Sequence, residues 1–209
     1  MARRAVGSCP YRTSSGSGER PVMTVDTKVD TPGRRTVRVR TASVGETRAL
    51  GAALAVVAQA GDRIALLGPL GAGKTQLAKG FGAGLGVSDE ITSPSFTLMA
   101  EHQGRLPLFH LDLYRLSGSA DAVEGGMLDE REDEGVTLTE WADRLDGSLD
   151  ADRLTIAIEP DPDDDDGRTI VLAADRVGRY GRFLDAAERW ASGVPAQPAR
   201  GGPRGAGAR

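Results

Sequence analysis

The chain has 209 residues and a formal charge of −4. That suits one domain with extensions, and it lacks the basic excess behind sequence-independent nucleic-acid binding. A single cysteine, Cys9, excludes an intramolecular disulfide framework and fits a reducing compartment. No apolar run reaches the roughly 18 residues of a spanning helix, and the basic N-terminus lacks the apolar stretch of a secretory signal, so the expected location is the cytoplasm.

Residues 1–35 are rich in Ser, Gly, Arg and Thr without a period, which predicts a disordered leader. The run 193–209 is a Gly/Pro/Ala/Arg tail with no means of building a core. One domain, 36–192, remains between them. Its first element is "TVRVR" (36–40), an alternating strand placed at a sheet edge. Ser43 and Glu46 have capping-box spacing before a helix that sets Leu50, Ala53, Leu54 and Val57 on one face. "RIALL" (63–67) is an unbroken apolar strand of the kind buried on both faces in a parallel sheet.

A glycine loop follows, then a helix with Leu77, Phe81 and Leu85 on one face and Gly80, Gly82 and Gly84 inside it. Each glycine costs about 1 kcal/mol against alanine, so this helix needs tertiary support. "FTLMAEH" (96–102) and "LPLFHLD" (106–112) read as strands around Gly104, and "GVTLTE" (135–140) as another. "RLTIAIE" (153–159) and "RTIVLAA" (168–174) flank the acidic turn "PDPDDDDG". A last helix carries Tyr180, Phe183, Leu184 and Ala187 on one face. The order of elements predicts an α/β three-layer sandwich, and the late hairpin makes its sheet mixed.

Gly68, Gly73, Lys74 and Thr75 fit G-x-x-x-x-G-K-[ST] between a strand and a helix, the setting a phosphate loop requires. Glycines let backbone N–H groups converge on phosphate oxygens, and the new helix turns its positive end to the same charge. Lys74 reaches the β and γ phosphates, and the Thr75 hydroxyl can ligate Mg²⁺. The plain alternative is a glycine-rich turn in a chain with 28 glycines. The lysine argues against it, because of 26 basic residues only Lys28, Lys74 and Lys79 are lysines.

"TKVD" (27–30) and "DTPG" (30–33) imitate GTPase motifs, but both precede the loop, and the chain has no asparagine. Two strand-end acids follow the loop, Asp112 and Glu140. Either can hold Mg²⁺, directly or through water, or orient an attacking water, and the residues alone leave that division open.

"LGPLGAGKTQLAKGFGAGLG", "SPSFTL" (93–98), "HLDLYRL" (110–116) and "TEWADRL" (139–145) occur in this order. Together they resemble the TsaE family, small bacterial ATPases of tRNA threonylcarbamoyladenosine synthesis, over about 43–175. The resemblance implies a P-loop NTPase fold with a mixed, mostly parallel central sheet. It implies ATP on Gly71, Ala72, Gly73, Lys74, Thr75 and Gln76, with Mg²⁺ on Thr75 and Glu140. Asp112 would serve hydrolysis beside Lys74 and Glu140. Thr47 matches a family threonine near the base, or is a plain first-turn threonine. Ser93, Pro94, Ser95 and Phe96 match a switch segment that senses the γ-phosphate. Ser93-Pro94 also favours a turn in bare physical terms.

Tyr114 and Arg115 complete the H-x-D-x-Y-R block, and Arg115 would meet phosphate or a partner unless it is a surface arginine. Trp141 lines the site or sits in the core. His110 reads as a packed, hydrogen-bonded histidine, since no second histidine or cysteine accompanies it. The implied partners are the TsaD and TsaB proteins, with tRNA contacted indirectly. Gln76, Ser95 and Ala142 depart from the family pattern without removing a charge or a metal ligand.

The acidic run Asp161–Asp166 reads as a solvated turn, and Gly167-Arg168 matches a family pair whose role the sequence does not supply. The expected function is therefore a partner-stimulated ATPase subunit, weak alone. The rivals are a small-molecule or nucleoside kinase, for which the acidic stretch 117–134 makes a poor phosphate lid, and a non-hydrolysing ATP-binding scaffold.

Overall fold

A computed structural model describes residues 26–30, 34–116, 134–144, 152–175 and 177–194. Eight strands form one sheet: β1 (Asp26–Asp30), β2 (Arg34–Thr41), β3 (Asp62–Leu67), β4 (Met99–His102), β5 (Leu108–Asp112), β6 (Val136–Glu140), β7 (Leu154–Asp161) and β8 (Asp164–Ala174). Their spatial order is β1-β2-β8-β7-β3-β6-β5-β4. The central block β7-β3-β6-β5 is parallel, while β1, β2, β8 and β4 join by antiparallel pairing. Among the described residues the α-helices are α1 (Val44–Val56), α2 (Lys74–Gly84) and α3 (Val177–Ala191). Among the described residues no helix is long and apolar enough to cross a membrane.

The sheet is mixed and its centre parallel, as a P-loop α/β fold requires. β3 lies between two parallel neighbours, β6 and β7, which explains why its residues do not alternate. Ser43 caps α1 by accepting from the Glu46 N–H at 3.1 Å, and the Glu46 carboxylate accepts from the Ala42 N–H at 2.7 Å. That is the expected capping box reaching one residue further back.

The glycines of α2 have a packing reason. A Cβ on Gly80 would lie 2.0 Å from the Arg48 carbonyl oxygen, and one on Gly84 2.6 Å from that of Ala52. From the other side, a Cβ on Gly51 would lie 2.3 Å from the Leu77 carbonyl oxygen. The two helix backbones touch, so the propensity lost at each glycine is offset by close contact.

One core joins α1, α2 and α3 to one face of the sheet, with Leu50, Leu54, Leu77, Phe81, Tyr180 and Phe183 fully buried against strand residues such as Ile64, Leu138 and Ile156. Each such side chain contributes about 1.5–3 kcal/mol of burial. The opposite face carries a smaller cluster of Phe109, Leu111, Leu113 and Leu116. Residues 117–133, including nearly all of the acidic stretch, lie outside the described residues.

Three expectations change. The sequence puts residues 26–35 in a disordered leader, yet 26–30 pair with β2 as β1. Consequently β2 is an inner strand rather than an edge, with β8 on its other side. The strand expected from residue 96 begins only at Met99, because Leu98 takes a positive φ of 64° and its N–H closes a turn on the Pro94 carbonyl at 2.7 Å. Residues 1–25 of the leader and 195–209 of the tail fall outside the described set. "TKVD" lies on β1, far along the sheet from the phosphate loop.

Candidate functional site

The chain leaves β3 at Leu67 and curls through residues 68–73 before α2 begins. Gly68 has φ 139°, and a Cβ there would lie 2.2 Å from the Ile158 carbonyl oxygen of β7. Only glycine fits so close to a neighbouring backbone. Gly73, the N-cap of α2, has φ 107°, and no side chain caps the helix start. The first N–H groups of α2 are therefore open to a ligand at the helix end, where an anion is favoured.

Lys74 is buried, and its Nζ donates to the carbonyls of Gly68 at 2.7 Å and Pro69 at 2.9 Å. The same nitrogen sits 3.7 Å over the Trp141 ring. Burial holds the Lys74 ammonium below the usual lysine range, opposed in part by the charges of Glu140, Asp112 and Asp143.

Two parallel strand ends deliver the acids. Asp112 closes β5 and Glu140 closes β6, in register with each other. The Thr75 hydroxyl donates to Glu140 Oε2 at 3.0 Å, and His110 Nε2 lies 3.0 Å from Glu140 Oε1. Beyond Glu140 the chain turns sharply at Trp141, φ 60°, whose N–H donates to the Leu66 carbonyl at 3.1 Å. The Trp141 ring packs on Tyr114, 4.9 Å between centroids.

Asp112 collects donors. Its Oδ2 accepts from the Ser93 hydroxyl and, at 2.5 Å, from that of Ser95, while Oδ1 accepts the Tyr114 N–H at 3.0 Å. Burial pushes this carboxyl up, but the two serine hydroxyls and the Tyr114 amide hold it below the ordinary aspartate value.

These groups line one cavity of about 470 Å³, within the usual size of small-molecule sites. Its walls are residues 70–76, Ser93, Ser95, Asp112, Tyr114, Arg115, Glu140 and Trp141. Most residues singled out from the sequence therefore meet at one place. Gly68 and His110 lie behind its walls, and Thr47, Pro94 and Phe96 do not line it either. Thr47 is buried, with its hydroxyl 2.9 Å from that of Thr41 and 3.2 Å from the Ser43 carbonyl. Pro94 is buried, and Phe96 projects outward, 84% exposed, under the Arg115 guanidinium at 4.1 Å.

Sequence reading missed Leu70, which lines the cavity, and the contact of Arg168 Nε with the Ala72 carbonyl at 2.9 Å. The Gly-Arg pair signalled something at 168, but only the fold supplies the target. The acidic run is tied elsewhere, with Arg40 bridging Asp161 at 2.7 Å and Asp164 at 3.5 Å.

Among the described residues no three His, Cys, Asp or Glu side chains form a metal cluster. The oxygen donors of Thr75, Glu140 and Asp112 nevertheless suit Mg²⁺, which takes one or two carboxylates and completes its shell with phosphate and water. Chemically, the cavity pairs a cation and open helix N–H groups with two carboxylates, the complement of a phosphate–metal complex.

A family model described as "Threonylcarbamoyl adenosine biosynthesis protein TsaE" matches residues 41–170. The tRNA threonylcarbamoyladenosine biosynthesis protein TsaE of Bacillus subtilis is 38% identical over 138 residues, covering 66% of this chain and 86% of the relative. The protein of the same name from Streptomyces coelicolor is 39% identical over 148 residues, covering 69% of this chain and 94% of the relative. Among solved structures, that of Bacillus subtilis YdiB superimposes with a TM-score of 0.56 at 36% identity, over 75% of this chain and 97% of that one.

Proposed function

The chain belongs to the TsaE family, named for threonylcarbamoyl adenosine biosynthesis, and from that premise we propose that it is a Mg²⁺-dependent ATPase subunit of this tRNA modification. Its relatives carry the name of tRNA threonylcarbamoyladenosine biosynthesis proteins. The observation that carries the reading is the meeting, in one cavity, of the phosphate loop with Lys74, Thr75, Asp112 and Glu140.

ATP occupies the loop in this reading, its phosphates on the N–H groups of residues 71–76 and on Lys74. Thr75 and Glu140 are the residues that would hold Mg²⁺, which when bound offsets charge developing on the transferred phosphoryl group. Asp112, its carboxyl held low by the serines, stays ionised and accepts a hydrogen bond from the attacking water. The same carboxylate ties down Ser93 and Ser95, so chemistry at Asp112 and the posture of the segment 93–98 are linked. Such a segment, ordered or released with the γ-phosphate, is a known switch design.

The action falls on a TsaD–TsaB partner complex, which threonylcarbamoylates the adenosine beside the anticodon of ANN-decoding tRNAs, and the setting is cytoplasmic. Arg115 stacks on Phe96 and Arg168 is committed to the carbonyls of Ala72, Asp165 and Gly167, so both guanidinium groups are engaged within the chain, which suits weak turnover without partners.

The test is phosphate release from Mg·ATP by the full chain, alone and with TsaD and TsaB. Slow release alone and a rise of tenfold or more with the pair are expected. No rise, with phosphate passing instead to a small acceptor, would replace this reading by that of a kinase.

A further inference from the structure

We propose that His110 is a positioning residue: it fixes the Glu140 carboxylate so that one oxygen faces Thr75 and the cavity, and thereby sets the grip on a nucleotide-bound divalent cation. This rests on the nucleotide reading above and adds to it a residue that never touches the ligand.

His110 is fully buried and Glu140 nearly so. The two oxygens of Glu140 are divided between partners. Oε1 faces His110 Nε2 at 3.0 Å, and Oε2 receives the Thr75 hydroxyl at 3.0 Å. The terminal torsion of a glutamate is broad and roughly two-fold, so an unheld carboxylate samples many orientations. Two partners on opposite oxygens leave it one.

The strands make this pairing systematic. His110 stands opposite Leu138 and Asp112 opposite Glu140 on parallel neighbours, so His110, Asp112 and Glu140 project from the same face. His110 lies one pleat deeper than Glu140, behind it as seen from the cavity. It is absent from the cavity walls, which separates it from the residues that would touch a ligand.

The unused nitrogen agrees. His110 Nδ1 is buried with no partner among the described residues. A hydrogen there would be an orphaned buried donor, costly in an apolar setting. The hydrogen therefore belongs on Nε2, the tautomer that donates to a carboxylate. Nε2 is committed to Glu140, and the buried Nδ1 does not line the cavity, so neither nitrogen is offered to a metal there. Partners behind a metal-holding carboxylate commonly affect metal affinity by 10- to 100-fold.

The experiment compares the full-length wild type with His110→Gln, His110→Asn and His110→Phe. Gln carries its amide at about the reach of Nε2; Asn falls short of it, and Phe fills the space without a donor. Two quantities are read: affinity for ADP in EDTA, and affinity for Mn²⁺ in the presence of ADP, by electron paramagnetic resonance. Expected is a tenfold or greater loss of Mn²⁺ affinity in the Asn and Phe variants, near wild-type values in Gln, and ADP affinity in EDTA changed less than twofold throughout.

Equal Mn²⁺ affinity in all four proteins would overturn the positioning role while leaving the nucleotide reading intact. A wild type that binds neither ADP nor Mn²⁺ would overturn the nucleotide reading and this inference with it. Should His110→Phe not fold, the Gln–Asn pair carries the decision alone.

Discussion

The guanidinium of Arg168 donates through Nε to the Ala72 carbonyl at 2.9 Å, joining the β7–β8 hairpin to the phosphate loop. Its Nη1 is held in turn by the carbonyls of Asp165 at 2.8 Å and Gly167 at 2.6 Å. In a trans peptide the N–H of Gly73 points opposite to the Ala72 carbonyl, so anchoring one orients the other. Arg168 thus fixes one of the N–H groups proposed to meet phosphate.

Arg168→Ala should accordingly weaken ADP binding about tenfold, or ~1.4 kcal/mol. Arg168→Lys should not restore it, because an ammonium lacks the planar fork that serves three carbonyls at once. Titration calorimetry decides, and unchanged affinity in Arg168→Ala would remove the brace from the account.

The serine–aspartate cluster makes a prediction about acid. The Asp112 carboxyl is raised by burial but brought below its ordinary value by the Ser93 and Ser95 hydroxyls and the Tyr114 amide. A carboxyl lower in the folded than in the unfolded chain stabilises the fold above its unfolded value. That contribution disappears as pH falls through the folded value. Replacing both serines by alanine leaves burial opposed by the Tyr114 amide without the two hydroxyls, so the carboxyl moves up. The double variant should unfold at a higher pH than wild type during acid titration, and at neutral pH should be less stable by about 1–3 kcal/mol. Circular dichroism reads both, and coincident acid midpoints would contradict the role given to the hydroxyls.

Helix propensity and packing oppose each other at Gly80. Alanine there gains about 1 kcal/mol of propensity, yet its Cβ would lie 2.0 Å from the Arg48 carbonyl oxygen. Overpacking costs about 1–3 kcal/mol and more where backbone must move. Gly80→Ala should therefore lower the melting temperature, while Gly86→Ala, where nothing lies within 4 Å, is strained only by its φ of 78°. A more stable Gly80→Ala protein would mean that α1 and α2 do not approach this closely.

The phosphate loop, the strand-end acids and most core faces were legible because local pattern alone decides them. RIALL is apolar without a break, and capping spacing marks α1. β1 was not legible, since "DTKVD" has no alternating apolar face and owes its strand to pairing with β2. The late start of β4 follows from the turn that Leu98 closes on Pro94, in a segment whose Ser93 and Ser95 bind Asp112, 19 and 17 residues away in sequence. Arg168 could be noticed but not interpreted, because its partner lies 96 residues away. His110 was read correctly as hydrogen-bonded, but its partner Glu140 is 30 residues on and only the strand register unites them. Thr47, matched by resemblance to a base-side threonine or else a plain first-turn one, places its hydroxyl against Thr41 and the Ser43 carbonyl, contacts that no local pattern announces.

Trp141 offers a built-in reporter. It is one of two tryptophans, and its ring lies 3.7 Å beneath the Lys74 ammonium at the cavity wall. The other, Trp190, packs against the main core on α3. Lys74 donates its hydrogen bonds to the carbonyls of Gly68 and Pro69. An incoming phosphate competes for the same ammonium and is the stronger partner, since both groups are charged. Binding should move the cation relative to the indole and change its emission. The change should saturate with ADP in wild type and in Trp190→Phe, and vanish in Trp141→Phe. In Lys74→Ala it should be lost together with affinity. A signal that persists in Trp141→Phe would place the responding chromophore at Trp190, and one that survives in Lys74→Ala would detach the lysine–indole contact from nucleotide binding.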